Sequence, residues 1–304
     1  MIAVLFPGQG AQSPGMLEPW LALDAVSAHL AELSEATDAD VLAHGTTSDA
    51  DTIRDTAVAQ PLLVAAGLAT ARVALGGAAP GLVAGHSVGE LGAAALAGVF
   101  DDATAMRLVT ARANAMAQAA ASSEPTSMAA VLGGVEEEVL ERLEQLGLTP
   151  ANMNGGGQIV AAGAKAGIEA LVAEPPARAR VIELQVAGAF HTSYMEPAVA
   201  ALAAAAAEVS PAAPTSTLLS NSDGSEVTDG ADALERIVRQ VASPVRWDLC
   251  QERMLALGVT GILEVAPGGV LTGLAKRSLK GVPAVALKSP DDLPAARELV
   301  EQHA

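Results

Sequence analysis

The residues of this chain best suited to chemistry are a serine and a histidine. Ser87 stands in Gly85-x-Ser87-x-Gly89, where a short apolar run, Gly81–Ala84, gives way to a helical pattern over Glu90–Val99. In a strand–turn–helix setting the glycines relieve crowding on a sharp elbow, and the serine hydroxyl is pushed out above a sheet. The new helix also aims free backbone N–H groups at the reacting centre. The string by itself occurs equally in plain glycine turns, so the context is what marks Ser87 as a nucleophile. A serine needs a base. Of the five histidines, His303 lies at the chain end, and His29 and His44 lie in polar surroundings where a solvated ring is expected. His86 adjoins Ser87, but neighbours on an elbow point apart, so it is assigned a supporting role. His191 follows Ala189-Phe190 in a loop before a helix, a setting where catalytic groups gather, although a lone loop histidine can equally be plain surface.

Arg112 is informative by position. On the helical run Asp101–Ala121 it lies three and four residues after Val109 and Leu108 and four before Met116, so it projects near the apolar stripe. A cation there needs an anionic partner. That partner is either an internal Asp or Glu, or a substrate carboxylate gripped bidentately.

The elements that must position these residues follow from composition and pattern. A chain of 304 residues that is 51% hydrophobic and 17% charged can bury a sizeable core, so global disorder is excluded. Its 67 alanines favour closely packed helices. The single cysteine, Cys250, forbids an intrachain disulfide and a cysteine metal cluster, and no metal site is expected. With no signal-peptide pattern at the start, the expected compartment is the cytosol. The longest apolar stretches, such as Pro61–Ala71, meet a charge at Arg72, so no membrane span is expected. A formal charge of −18 argues against nucleic acid as a partner.

Ile2–Phe6 reads as a strand ending in the glycine loop Pro7-Gly8-Gln9-Gly10. Helices are expected over Trp20–Ala36, Gln60–Leu75 and Asp101–Ala121. After the polar breaker Ser122-Ser123-Glu124-Pro125 the order strand, helix, two strand segments, helix, strand runs to Val186. Strands near Thr217–Ser220, Gly261–Val265 and Ala284–Leu287 then alternate with helices. The expected fold class is α/β. A large α/β-hydrolase-like domain with a mostly parallel sheet (1–124 and 189–304) carries an inserted small ferredoxin-like subdomain (125–188).

Several motifs occur in order: Phe6-Pro7-Gly8-Gln9-Gly10-Ala11-Gln12, Gly85-His86-Ser87-Val88-Gly89-Glu90, Arg112 with Met116, Ala189-Phe190-His191-Thr192 with Met195, Pro244-Val245-Arg246-Trp247, and Val265-Ala266-Pro267-Gly268-Gly269-Val270-Leu271-Thr272-Gly273-Leu274. Over essentially its whole length the chain thereby resembles the malonyl-CoA:acyl carrier protein transacylases of bacterial fatty acid synthesis, in their actinobacterial form. The resemblance implies Ser87 as nucleophile and His191 as general base, then acid. It implies a backbone carbonyl, matched here by Gln240, as the group orienting the histidine. The oxyanion hole would be the backbone N–H groups of Gln9 and Val88, Arg112 would hold the malonyl carboxylate, and the Phe190 ring would crowd an α-substituent. The implied partners are malonyl-CoA and acyl carrier protein, with coenzyme A as part of a substrate, no separate cofactor, and a monomer as the default state. Ala113, Gly156 and Gly269 depart from the family pattern, the last replacing a lysine and leaving fewer cations for docking. Lys276, Arg277 and Lys280 form the densest cationic cluster, either a solvated helix end or a docking patch. The alternatives are a trans-acting polyketide acyltransferase, the malonyltransferase of malonate decarboxylase, a serine thioesterase or hydrolase, and an inactive carrier-binding scaffold.

Overall fold

The apolar run Ile2–Phe6 forms β1, in which every residue is buried. Ile2, Val4 and Phe6 enter one core cluster, whereas Ala3 and Leu5 enter another, as the two-residue period of a strand covered on both faces requires. The computed structural model describes residues 1–303. After β1 come α1 (Asp24–Glu35), α2 (Val41–Thr46), α3 (Thr56–Leu75), β2 (Leu82–Gly85), α4 (Gly89–Leu96) and α5 (Asp102–Ser122). The middle of the chain forms β3 (Thr126–Gly133), α6 (Glu136–Gln145), β4 (Thr149–Gly155), β5 (Gln158–Ala164), α7 (Lys165–Ala173) and β6 (Ala179–Glu183). The remainder forms α8 (Glu196–Ala206), β7 (Thr217–Leu219), β8 (Glu226–Val227), α9 (Gly230–Gln240), β9 (Val245–Arg246), α10 (Trp247–Ala256), β10 (Gly261–Glu264), α11 (Val270–Ser278), β11 (Ala284–Ala286) and α12 (Leu293–His303).

The fold is mixed α/β with two sheets. The larger has the order β11-β10-β1-β2-β7-β8 and is parallel except for the β7–β8 hairpin. The smaller has the order β6-β3-β5-β4-β9. Its first four strands are antiparallel and come with α6 and α7 in the expected β-α-β-β-α-β order. Its fifth strand comes from far along the chain: β9 pairs in parallel with β4, Asn152 opposite Val245 and Met153 opposite Arg246. Two residues are too short to read as a strand from pattern alone.

Two expected helices differ in their limits. The run Trp20–Ala36 is broken at Leu23, whose extended backbone separates a 3₁₀ turn over Glu18–Ala22 from α1. The other, α3, starts at Thr56 rather than Gln60, because the Asp55 carboxylate accepts from the Ala57 N–H at 2.8 Å and caps it. It ends at Leu75 as expected, and by length and composition it is apolar enough to cross a membrane. Sixteen of its twenty residues are nonetheless buried inside the protein, and the guanidinium of Arg72 leaves the apolar surface to pair with Asp102 at 2.5 Å. This helix is the centre of the main core, lying against β1, α4 and α5.

Candidate active site

Ser87 occupies the turn between β2 and α4 with φ of +53°, a left-handed conformation that costs a non-glycine residue about 1–2 kcal/mol. The glycines on either side allow it. A Cβ at Gly85 would lie 2.0 Å from the Gly89 carbonyl carbon, and one at Gly89 would lie 2.3 Å from the Phe6 carbonyl oxygen. Only glycine fits at either place, because the obstacle is backbone.

His191, brought back from the far side of the smaller sheet, meets this serine. Its Nε2 lies 2.8 Å from Ser87 Oγ, and its Nδ1 lies 3.0 Å from the Gln240 carbonyl oxygen. A carbonyl can only accept, so Nδ1 bears the ring proton and Nε2 presents its lone pair to the hydroxyl. Burial, and then the charge of Arg112, depress the imidazole pKa to about 3. The ring is therefore neutral near pH 7 and free to take a proton.

Arg112 is buried, and its guanidinium faces the same point. Nη1 donates to Gln60 Oε1 at 2.7 Å, and Nη2 donates to Ser87 Oγ at 3.2 Å and to Gln240 Oε1 at 3.5 Å. All three acceptors are neutral, and among the described residues no carboxylate forms an ion pair with it. Of the two partners open to it from sequence, the internal Asp or Glu is thus not used. Burial lowers its pKa to about 10, partly opposed by Glu90, and the group stays charged.

Gln240 serves both neighbours, its backbone carbonyl on His191 and its side chain on Arg112. Gln9 lies in the glycine loop after β1, with its side chain tied to the Arg54 carbonyl and Thr56 hydroxyl at 3.4 and 3.3 Å. Val88 is the first residue before α4. Neither backbone N–H donates to a protein acceptor among the described residues; Gln9 lines the cleft and Val88 is buried. Phe190 is buried and lines the cleft beside His191. His86 turns away from the serine hydroxyl, as its place on the elbow suggested. Its Nε2 pairs with Asn154 Oδ1 at 2.9 Å and its ring meets Trp247 edge-on. The other histidines are remote from this cluster: His29 pairs with Asp102, His44 with Ser48 and His303 with Thr260.

The cleft above Ser87 measures about 470 Å³. The smaller sheet contributes Met128, Asn152, Asn154, Gln158 and Val160, and α11 contributes Val270, Leu271 and Leu274. That helix is pinned by the buried Glu264, whose carboxylate accepts the N–H groups of Gly269, Leu271 and Thr272, each at 2.8 Å. Two residues of the site went unread in the sequence. Gln60 left a signal, being a lone amide within an apolar helix that a buried partner must satisfy. Asn221, whose Oδ1 accepts the Ser87 N–H at 2.7 Å, left none, since it sits in an ordinary polar turn.

Residues 4–293 match the family model described as "Acyl transferase domain". The malonyl CoA-acyl carrier protein transacylase of Mycobacterium tuberculosis is 53% identical over 297 residues, spanning 96% of this chain and 98% of that protein. Its counterpart in Escherichia coli K12 is 38% identical, spanning 98% and 99%. A crystal structure of MCAT from Mycobacterium tuberculosis superposes with a TM-score of 0.93 at 53% identity, covering 98% of this chain and 99% of that one. A malonyl-transacylase solved in complex with its type II PKS acyl-carrier protein superposes at 0.91 with 33% identity, covering 98% and 99%. With the motifs, the fold and the elbow in agreement, this chain belongs to the acyl transferase domain family and, within it, to the malonyl CoA-acyl carrier protein transacylases.

Proposed function

We propose that this enzyme moves a malonyl group from malonyl-CoA to the phosphopantetheine thiol of an acyl carrier protein through a malonyl ester on Ser87. The observation that carries this reading is the Arg112 guanidinium, buried without a carboxylate and 3.2 Å from the Ser87 hydroxyl oxygen. A carboxylate two bonds beyond an ester on Ser87 is the anion that such a cation lacks.

In the first half-reaction, Ser87 Oγ bonds to the thioester carbonyl carbon as its proton passes to His191 Nε2. The C–S bond then breaks, and the departing sulfur takes that proton. The N–H groups of Gln9 and Val88 stabilise the oxyanion in between. The second half-reaction runs the same steps in reverse with the carrier's thiol. One thioester replaces another, so the exchange is nearly thermoneutral and the site's task is to exclude water. Phe190 selects against substituents on the α-carbon. Coenzyme A enters only as part of the substrate, and neither metal nor organic cofactor has a role.

The carrier docks beside α11, where Lys276, Arg277 and Lys280 follow the cleft-lining Leu274. This reading is supported by the exposure of all three. The lysine missing at Gly269 has a neighbour that fills its space, since Lys288 Nζ lies 3.7 Å from where a Cβ would stand. In architecture we read residues 1–124 and 189–303 as an α/β-hydrolase-like domain and 125–188 as a ferredoxin-like subdomain, residue 304 of the expected range lying outside the described residues. We take the enzyme to be a cytoplasmic monomer.

Intact mass after brief incubation with malonyl-CoA tests the function. The wild type is expected to gain one malonyl group and lose it to holo-carrier, and Ser87→Ala to gain none. Rapid loss to water would make the protein a thioesterase, and no adduct on the wild type would refute the substrate assignment.

A further inference from the structure

Asn221 is fully buried in the turn between β7 and β8, and each of its polar groups is engaged with a different part of the site. Its Oδ1 accepts the Ser87 N–H and its Nδ2 donates to the Gly85 carbonyl, both at 2.7 Å. Its backbone N–H donates to Glu90 Oε1 on α4 at 2.7 Å, and its carbonyl accepts from Arg246 N–H on β9 at 2.7 Å. We propose that Asn221 is a positioning residue for acyl transfer: its carboxamide spans the elbow and holds Ser87 in its left-handed conformation, while Glu90 fixes the backbone from which that carboxamide projects. This inference rests on Ser87 being the nucleophile.

The carboxamide grips two successive peptide groups on the N-terminal side of Ser87, and α4 grips the chain on the other side. What lies between is the one residue with φ of +53°. Rotation there would swing the hydroxyl away from His191 and turn the Val88 N–H with it. An amide suits the task because it can accept at one end and donate at the other. A carboxylate of the same shape can accept from Ser87 but meets the Gly85 carbonyl with a second acceptor. Once protonated, it regains the donor.

That difference supplies a test which a merely structural asparagine would not pass. The variants Asn221→Ala and Asn221→Asp are compared with the wild type by rapid-quench mass measurement of malonyl-Ser87 over a range of malonyl-CoA concentrations, with circular dichroism giving the folded fraction. For Asn221→Ala the maximal acylation rate is expected to fall about 10- to 100-fold, with half-saturation changed less than about twofold. The aspartate variant is expected to approach the wild type near pH 5, while its carboxyl is protonated, and to fall toward the alanine variant by about pH 9. Read as a ratio to the wild type at each pH, this removes the titration of His191, which stays neutral throughout. The titratable and charged groups around position 221 are Glu90 on α4 and Cys250 on α10, both hydrogen-bonded to it, Arg246 on β9, whose N–H donates to its carbonyl, and His86 between the two elbow groups it holds; Asp223, Asp248, Arg236 and Arg112 act on it through Glu90 and Cys250. The nearest of these, Glu90, gains charge as pH rises through about 8, which raises the titration of the introduced carboxyl, so its loss of function is expected toward the alkaline end of the range.

A wild-type acylation rate in Asn221→Ala, or a ratio for Asn221→Asp that stays flat from about pH 5 to pH 9, would overturn the proposal. The aspartate variant is isosteric and decides the matter if the alanine variant does not fold. Absence of the adduct on the wild type itself would refute the transferase reading instead.

Discussion

Replacing Arg112 with alanine should separate two substrates that differ only in a carboxylate. In the wild type the buried guanidinium is held by neutral oxygens of Gln60, Gln240 and Ser87, so on the proposed reading the malonyl carboxylate is the anion that pairs with it. Removing one partner of a buried pair costs about 3–5 kcal/mol, because the other charge stays desolvated and alone. At about 1.4 kcal/mol per factor of ten, kcat/KM for malonyl-CoA should fall by roughly two to three and a half orders of magnitude. Acetyl-CoA has no carboxylate to abandon. It should also benefit from a more basic His191, since the Arg112 charge is the second cause of that residue's depressed pKa. Acetyl transfer is therefore expected to hold or rise. Arg112→Lys, which keeps the charge but not the planar fork, should fall between the two for malonyl-CoA. Initial rates of transfer to holo-carrier, measured by mass for both thioesters, give the ratio directly. An equal fall for malonyl and acetyl groups would mean that Arg112 supports Ser87 and not the substrate carboxylate.

The pKa of His191 near 3, against 6.5 unfolded, means the unfolded chain binds the extra proton between those values. Stability present above about pH 6.5 should be lost as pH falls toward 3, by up to about 1.4 kcal/mol per unit; chemical denaturation of wild type against His191→Asn will show a difference that grows with acid, and a constant difference would contradict the assignment. Glu90 is the opposite case: burial raises its carboxyl to about 8, so its contribution is present below the unfolded value of 4.5 and lost as pH rises through 8. Relative to the wild type, Glu90→Gln should gain stability across that window in thermal melts, and a flat offset would count against a neutral Glu90. Gly85→Ala should abolish acylation and lower the melting temperature sharply, whereas Gly273→Ala, in α11 with nothing within 4 Å of its Cβ, should add about 0.5–1 kcal/mol. Reversing the charges of Lys276, Arg277 and Lys280 should raise KM for the carrier and flatten its salt dependence while leaving acylation by malonyl-CoA intact; an unchanged KM at every salt concentration would exclude this face.

Most of the order of strands and helices, and the elbow that carries Ser87, were legible because each rests on local signals, an apolar run or a glycine pair, whereas His191 as the partner of Ser87 came through the resemblance, since a loop histidine by itself looks like plain surface. Arg112 was legible by its place on a stripe, but its partner was not. The choice between carboxylate and neutral amide depends on which residue of another helix, here Gln60 on α3, faces it. Gln240 was reached through resemblance alone, since a backbone carbonyl leaves no mark in side-chain chemistry. Asn221 and β9 escaped because their effect comes from what they touch across the fold: two residues of strand have no period, and an asparagine in a turn looks like any other. The apolar helix α3 shows the converse: composition alone would allow a membrane span, and only its packing shows where those residues lie.

The pairing of β9 with β4 has a consequence for anyone building chimeras from this family. The smaller sheet looks like a cassette that could be cut at residues 125 and 188 and exchanged to alter the acyl group accepted. Its edge strand, however, is Val245–Arg246, five residues after the Gln240 carbonyl that accepts from His191, and Arg246 N–H also holds Asn221. Gln251, one turn further on, donates to the Asn154 carbonyl at 2.8 Å and seals the same seam. A graft limited to 125–188 would part β4 from the strand it was shaped against and disturb His191 and Ser87 from behind. The transferable unit is discontinuous, and the smallest workable splice takes residues 240–251 along with the insert.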